Sequence, residues 1–434
     1  MFAQALARRL SRHGIHYGWV VIAVTFVTAL TTAGAVGVPG ALILPLTKEF
    51  GWNTAEISSA LSIRLVLFGL MAPFAAALIE RYGVRRVVLT AIGLIVLGLM
   101  LALVMSEAWH LIVLWGIIVG VGTGMTALVL NAIVSTRWFV QRRGLVLGVL
   151  TASSATGQLV FLPLAAWLVD NYGWRYALAP SVIGLLIAGL LVVLFMCDRP
   201  SDVGLAAYGE AARPAGQTFA APPPQSAPAF GRAFSVLGEI STSGTFWILA
   251  ATFFICGLST NGLVQTHFIS LCADYGMPAV AAASTLAMMG VFDFFGTILS
   301  GWLSDRYDNR ALLFWYYGLR GLSLLYLPYS TFTLYGLSLF GAFYGLDWIA
   351  TVPPTVRLSA QAFGKERAGI AFGWIFAAHQ LGAATAAFGA GLSRSVLASY
   401  LPAFFAAGAM CLVASGIVWF IRPNAKRAVA AGAS

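Results

Sequence analysis

The chain has 434 residues, 60% hydrophobic and 9% charged, with 25 Lys and Arg against 15 Asp and Glu and a formal net charge of +10. A soluble domain carries about 25% charged residues, so this composition excludes an ordinary soluble globular protein. Four cysteines, Cys197, Cys256, Cys272 and Cys411, are scattered singly without metal-ligand spacing, so neither a disulfide framework nor a metal site is expected.

Crossing a hydrocarbon core about 30 Å thick takes about 20 apolar residues in a helix, and lipid offers the backbone no water to bond. Twelve runs meet this need, at about 17–42, 56–79, 87–105, 110–135, 144–169, 175–197, 244–271, 279–303, 311–328, 333–356, 367–391 and 397–421. They are expected as helices and are numbered spans 1 to 12. With both termini in the cytoplasm, 20 of the 25 basic residues fall inside and only Lys48, Arg175 and Arg394 outside. That is the orientation favoured by the positive-inside rule. The net charge then reflects topology, and no nucleic-acid partner is expected.

Ahead of span 1, Phe2, Leu6 and Leu10 recur at helical spacing beside Arg8, Arg9 and Arg12, which reads as an interfacial basic segment rather than a cleaved signal. Span 1 carries Thr25, Thr28, Thr31 and Thr32, then Gly34, Gly37, Pro39 and Gly40. These hydroxyls either line a watery path or bond back to their own helix. Span 2 contains Arg64, sixteen residues before Glu80 and so roughly 24 Å from the inner surface. Span 4 reads Gly116-x-x-x-Gly120-x-x-x-Gly124, a pattern for close helix packing. Span 5 places Gln158 near mid-membrane. From 198 to 242 the chain turns proline-rich and loses its apolar runs, as expected of a flexible cytoplasmic linker between a bundle at 1–197 and another at 243–434.

Span 7 ends with Asn261, Gln265, Thr266 and His267, expected near the outer surface. Span 8 presents Gly290, Asp293, Thr297, Ser300 and Ser304 at helical spacing. Asp293, Arg320 in span 9 and Asp347 in span 10 each lie ten residues from an inner boundary, hence at a shared depth of roughly 15 Å. Charges in membranes are costly and mark function or a structural ion pair. One arginine between two aspartates therefore reads either as a neutralised structural network or as a proton or substrate site. Arg64 has no acidic partner in its own half, and a guanidinium facing a cavity would anchor a carboxylate through paired hydrogen bonds; the alternative is snorkelling. His379 in span 11 either titrates or bonds across helices.

The stretch Ala76–Arg86, A-A-L-I-E-R-Y-G-V-R-R, returns at Gly301–Arg310 as G-W-L-S-D-R-Y-D-N-R. Glu80 pairs with Asp305, Arg81 with Arg306 and Arg85 with Arg310 at one offset of 225 residues, as do Gly116 with Gly341 and Gly120 with Gly345. A register held this long marks a duplicated membrane protein. These six acidic and basic residues could bond to the neighbouring bundle as a cytoplasmic gate.

The two loops resemble the G-x-x-x-D-R-x-G-x-R-R signature of the major facilitator superfamily, with Ala76 and Asp308 standing where it has glycines. More narrowly, H-Y-G-W-V-V in span 1, R-W-F-V-Q-R-R-G-L-V-L-G between spans 4 and 5, and G-V-F-D-F-F-G-T in span 8 are similar to the monocarboxylate-porter and oxalate/formate-exchanger branch. In that branch the span 8 Asp, here Asp293, is followed four residues later by a carboxylate-binding Arg; this chain has Thr297. The resemblance implies an all-α membrane protein of twelve transmembrane helices in two six-helix bundles. It implies a secondary active transporter of the cell (inner) membrane that moves a small organic solute, a carboxylate anion, with a proton as coupling ion and as a monomer. The expected substrate contacts are Arg64, Gln158, Asn261, Thr297 and His379. An exporter of larger amphipathic compounds and a transport-inactive receptor are the alternatives. No catalytic motif points to an enzyme, and no cofactor is implied.

Overall fold

A computed structural model describes residues 2–126, 128–210, 229–304, 306–364 and 367–421. Helices occupy all twelve runs, and among the described residues nine stretches are long and apolar enough to cross a membrane. Spans 5, 9 and 10 are helical too, as Arg143–Tyr172, as Asn309–Tyr326, and as the pair Ser338–Asp347 and Val352–Phe363. Each half buries its own core. One core runs from Ala7 to Met196 and the other is built mainly from Val236 to Ile421.

The repeat read from glycine spacing is a repeat of contacts. In span 4, a Cβ on Gly120 would stand 3.1 Å from Arg64 Cα of span 2; in span 10, a Cβ on Gly345 would stand 2.6 Å from the Met289 carbonyl of span 8. Gly120 and Gly345, like Arg64 and Met289, are 225 residues apart. Only glycine lets the backbones approach this closely. Both glycine-bearing helices also stop within one turn of matching places. Thr126 N–H turns back three residues to Thr123, as Trp348 N–H does to Gly345, before new helices begin at Leu128 and Val352.

The signature loops close each half by the same means with different parts. At Gly83 the backbone takes φ 85°, the left-handed region open to glycine, and Asp198 from beyond span 6 accepts a hydrogen bond from Arg85 N–H at 3.0 Å. In the second loop Asp308 replaces that glycine and itself accepts from Arg310 N–H at 2.9 Å. Hydrogen bonding from Arg310 holds the Asp308 carboxyl below the usual carboxylate range. The two arginines then reach the end of their own bundle, Arg85 at Val193 O and Arg310 at Ile421 O.

On either side of residues 211–228, the stretch expected as a linker carries structure of its own at 198–210 and 229–242. Tyr208 bridges to Phe139, and Ala229–Ile240 forms a helix whose Phe234 packs on Phe74 of span 2 and Trp374 of span 11. The helix is amphipathic and short, so it leaves no membrane-length apolar run to read. Residues 211–228 lie outside the described residues.

On the side away from the two termini, the halves are closed against each other. Ala55 N–H meets Ser395 Oγ at 3.2 Å, Ser62 Oγ donates to Ala384 O at 2.8 Å, and Gly391 abuts Ser58. Gly40 of span 1 abuts the Gln265 carbonyl of span 7.

Candidate functional site

The buried charges of the second half form one cluster at the meeting of spans 7, 8, 9 and 10. Arg320 Nε donates to Asp347 Oδ2 at 2.6 Å, Nη2 donates to the carbonyls of Asp347 and Trp348, and Nη1 reaches Cys256 Sγ at 2.9 Å. Those carbonyls stand at the interruption of span 10, so the arginine satisfies backbone groups that an unbroken helix would have paired. Arg320 is 1% exposed and Asp347 7%.

Asp293 shares the depth of this pair but not its arginine. Its Oδ1 accepts from Ile349 N–H at 2.9 Å and from Thr297 Oγ1 at 3.0 Å. The expectation of one arginine divided between two carboxylates thus resolves into an Arg320–Asp347 ion pair and a neighbouring aspartate held by neutral donors. Depth follows from counting residues; the direction of each side chain around its helix does not.

His379 stacks on Phe376 (ring centroids 5.6 Å apart) and lies beside Phe253, and its Nδ1 has no partner. Next to it Gln380, which sequence reasoning missed, is 1% exposed with both amide atoms unpartnered, pressed against Gly69 of span 2. Its signal was available: an amide among alanines and glycines in a buried helix is costly unless it has a use. Asn261 lies in the π-helical turn Leu258–Val264, thirteen residues before the span ends at Asp274. It is therefore deeper than expected, because span 7 continues past Leu271. His267, fully buried, meets Ala387 O at 2.8 Å.

Arg64 is not brought to the seam between the halves. Its Nη1 donates to Val36 O at 2.7 Å and more weakly to Ala35 O, inside the first bundle. Pro39 accounts for part of this, since it lacks the N–H that would bond Ala35 O; Val36 O, which takes the shorter bond, lies at the end of the Gly18–Gly37 helix. The threonines of span 1 take the self-bonding course, with Thr25, Thr28 and Thr31 donating to Val21, Val24 and Val27.

Among the loop residues, Arg81 covers the Tyr82 ring, Arg306 the Trp302 ring, and Arg310 pairs with Asp308. All the described contacts of Arg81, Arg85, Arg306 and Arg310 stay within their own half. The side chains of Glu80 and Gln158, and residue Asp305, lie outside the described residues. Among the described residues, no group of three or more His, Cys, Asp or Glu could hold a metal ion.

Residues 24–387 match the Major Facilitator Superfamily. The chain is a member of that superfamily. This facilitator is a multi-pass membrane transporter rather than an enzyme. It is 27% identical to monocarboxylate transporter 13 of Rattus norvegicus over 93% of this chain and 88% of that one. It is 24% identical to an uncharacterized MFS-type transporter, YcxA, of Bacillus subtilis (strain 168) over 92% and 93%. Among solved structures, a D-xylose–proton symporter superposes on the facilitator with a TM-score of 0.71, covering 94% of this chain and 98% of that one at 15% identity, a likeness of fold.

Proposed function

We propose that this facilitator is a proton-coupled carrier of a small organic carboxylate, working as a monomer by alternating access in the cell (inner) membrane with both termini cytoplasmic. The observation that carries this reading is Asp293. It is 4% exposed, bonded to Ile349 N–H and Thr297, while Arg320 is occupied by Asp347. A buried carboxylate without its own cation exchanges a proton at less cost than one locked in an ion pair, because only the charged form suffers from burial. Its two hydrogen bonds span spans 8 and 10, so its protonation state bears on how tightly those helices hold.

The substrate lies in this reading where spans 7 and 11 face the first half, against His379, Gln380 and Asn261, with Gln158 and Thr297 as further polar contacts. The carboxylate class is supported by the similarity to monocarboxylate transporters along most of both chains. Glu80, Arg81, Arg85, Asp305, Arg306 and Arg310 are proposed to govern opening on the terminal side. The test is uptake by reconstituted vesicles of a panel of monocarboxylates under an imposed pH gradient. Wild-type protein accumulates a carboxylate. Asp293→Asn, which fixes a neutral isostere, still exchanges it across the membrane yet fails to accumulate it. Accumulation at the wild-type level by both Asp293→Asn and Asp347→Asn removes these carboxylates from the mechanism, and accumulation only of amphipathic drugs overturns the substrate class.

A further inference from the structure

Arg64 is 4% exposed, and no carboxylate lies within ion-pairing distance of it among the described residues. Its Nη1 is used on the carbonyls that Pro39 and the end of the Gly18–Gly37 helix leave open. Those carbonyls carry only partial charge, so the site stays net positive. Its Nε has no partner. Beside it is a cavity of about 10 Å³, lined by Arg64, Trp115, Ser181, Ala35, Val119 and Leu178. Trp115 Nε1 and Ser181 Oγ, 1% exposed each, are also without a hydrogen-bond partner.

Three unpartnered polar groups from three helices therefore border one small space. Two are N–H groups that can only donate, and the third is a hydroxyl that can. A space of this size holds one small species, a water or a monatomic ion. Hydrogen-bond count alone accepts a water, but charge does not: a lone buried cation is costly and calls for an opposite charge. The rest of the wall is apolar, so a polyatomic oxyanion would find neither the room nor the donors.

We propose that the first bundle holds a single monovalent halide, chloride in the cell, between Arg64, Trp115 and Ser181, as the counter-charge of Arg64. The site lies within one bundle, away from the seam between the halves, and the proposal stands apart from the transport reading.

The experiment compares the melting of the purified full-length protein in sodium chloride and in sodium gluconate at equal ionic strength. A ligand bound only by the folded state raises Tm with its concentration, so Tm is expected to be several degrees higher in chloride. The increment is expected to vanish in Ser181→Ala and in Trp115→Phe, which leave Arg64 in place. Equal Tm in both salts, or a chloride increment kept in full by both variants, overturns the proposal. A structure of the unmutated protein in bromide guards against a variant that fails to fold. Bromide anomalous density between Arg64, Trp115 and Ser181 supports the site, and a water there in saturating bromide overturns it.

Discussion

The two halves share one helix-packing plan but balance their buried charge in opposite ways. Ile95 and Gly122 of the first half correspond, at the offset of 225, to Arg320 and Asp347 of the second. In the first half a Cβ on Gly122 would stand 2.7 Å from Ile95 Cγ1, a plain apolar contact. In the second half the same two places hold an ion pair at 2.6 Å. Conversely Arg64 corresponds to Met289, so the first half carries a cation where the second carries a thioether. The same two places thus hold an apolar contact in one half and an ion pair in the other.

The sharpest way to break this comparison is to remove one member of the pair. Arg320→Ala leaves Asp347 buried without its cation, at a cost of about 3–5 kcal/mol, read as a collapse in the yield of folded protein. Arg320→Ile with Asp347→Gly copies the first half's own contact and is expected to recover more than half of that loss. No recovery would show that the charge pair is required by the fold. Next comes Arg64→Met, which copies the second half. It strands carbonyls rather than a carboxylate, so it is expected to cost about 1–3 kcal/mol and to lower Tm less than Arg320→Ala; a larger drop would reverse the comparison.

The repeat was legible in the sequence because glycines at a fixed offset leave a mark that no side-chain chemistry obscures. The same holds for depth, since residue counts along a helix convert to distance: Asp293, Arg320 and Asp347 were placed at one level and do meet in one cluster. What the residues did not disclose is the direction of each side chain around its helix. Span 2 is apolar on nearly every face, so no stripe told whether Arg64 looks toward the seam or into its own bundle. What meets it is the break in span 1 between Gly37 and Pro39, which leaves the carbonyls of Ala35 and Val36 to be satisfied. Gln380 shows the converse: its amide stands out among small residues, but they do not tell which neighbour it meets.

Two smaller tests sharpen the comparison further. Ala at Gly345 or at Gly120 overpacks equivalent contacts at about 1–3 kcal/mol. The loss is expected to be larger at Gly345, where the obstacle is a carbonyl at 2.6 Å rather than a Cα at 3.1 Å, and paired melting curves decide it. Ser62→Ala removes one hydrogen bond between the halves, worth about 0.6 kcal/mol in membranes. Stability should barely change, while alkylation of a single cysteine placed at Ser58 should become faster as the closed side opens more often. Unchanged alkylation would show that this bond does not hold the halves together.

The interruptions at Thr126 and Trp348 have a mechanical consequence. A continuous helix transmits bending and torque along its hydrogen-bond ladder; a ladder that stops cannot. Up to the interruption, spans 4 and 10 are keyed by glycine to spans 2 and 8. Beyond it, Leu128–Trp138 keeps span 2 as a neighbour and adds span 5, with Asn131 Nδ2 bonded to Leu150 O. By the offset of 225 the two breaks lie three residues apart, within one helical turn of each other. If the terminal side opens by alternating access as proposed, these two breaks are where spans 4 and 10 can bend with the fewest ladder hydrogen bonds to lose.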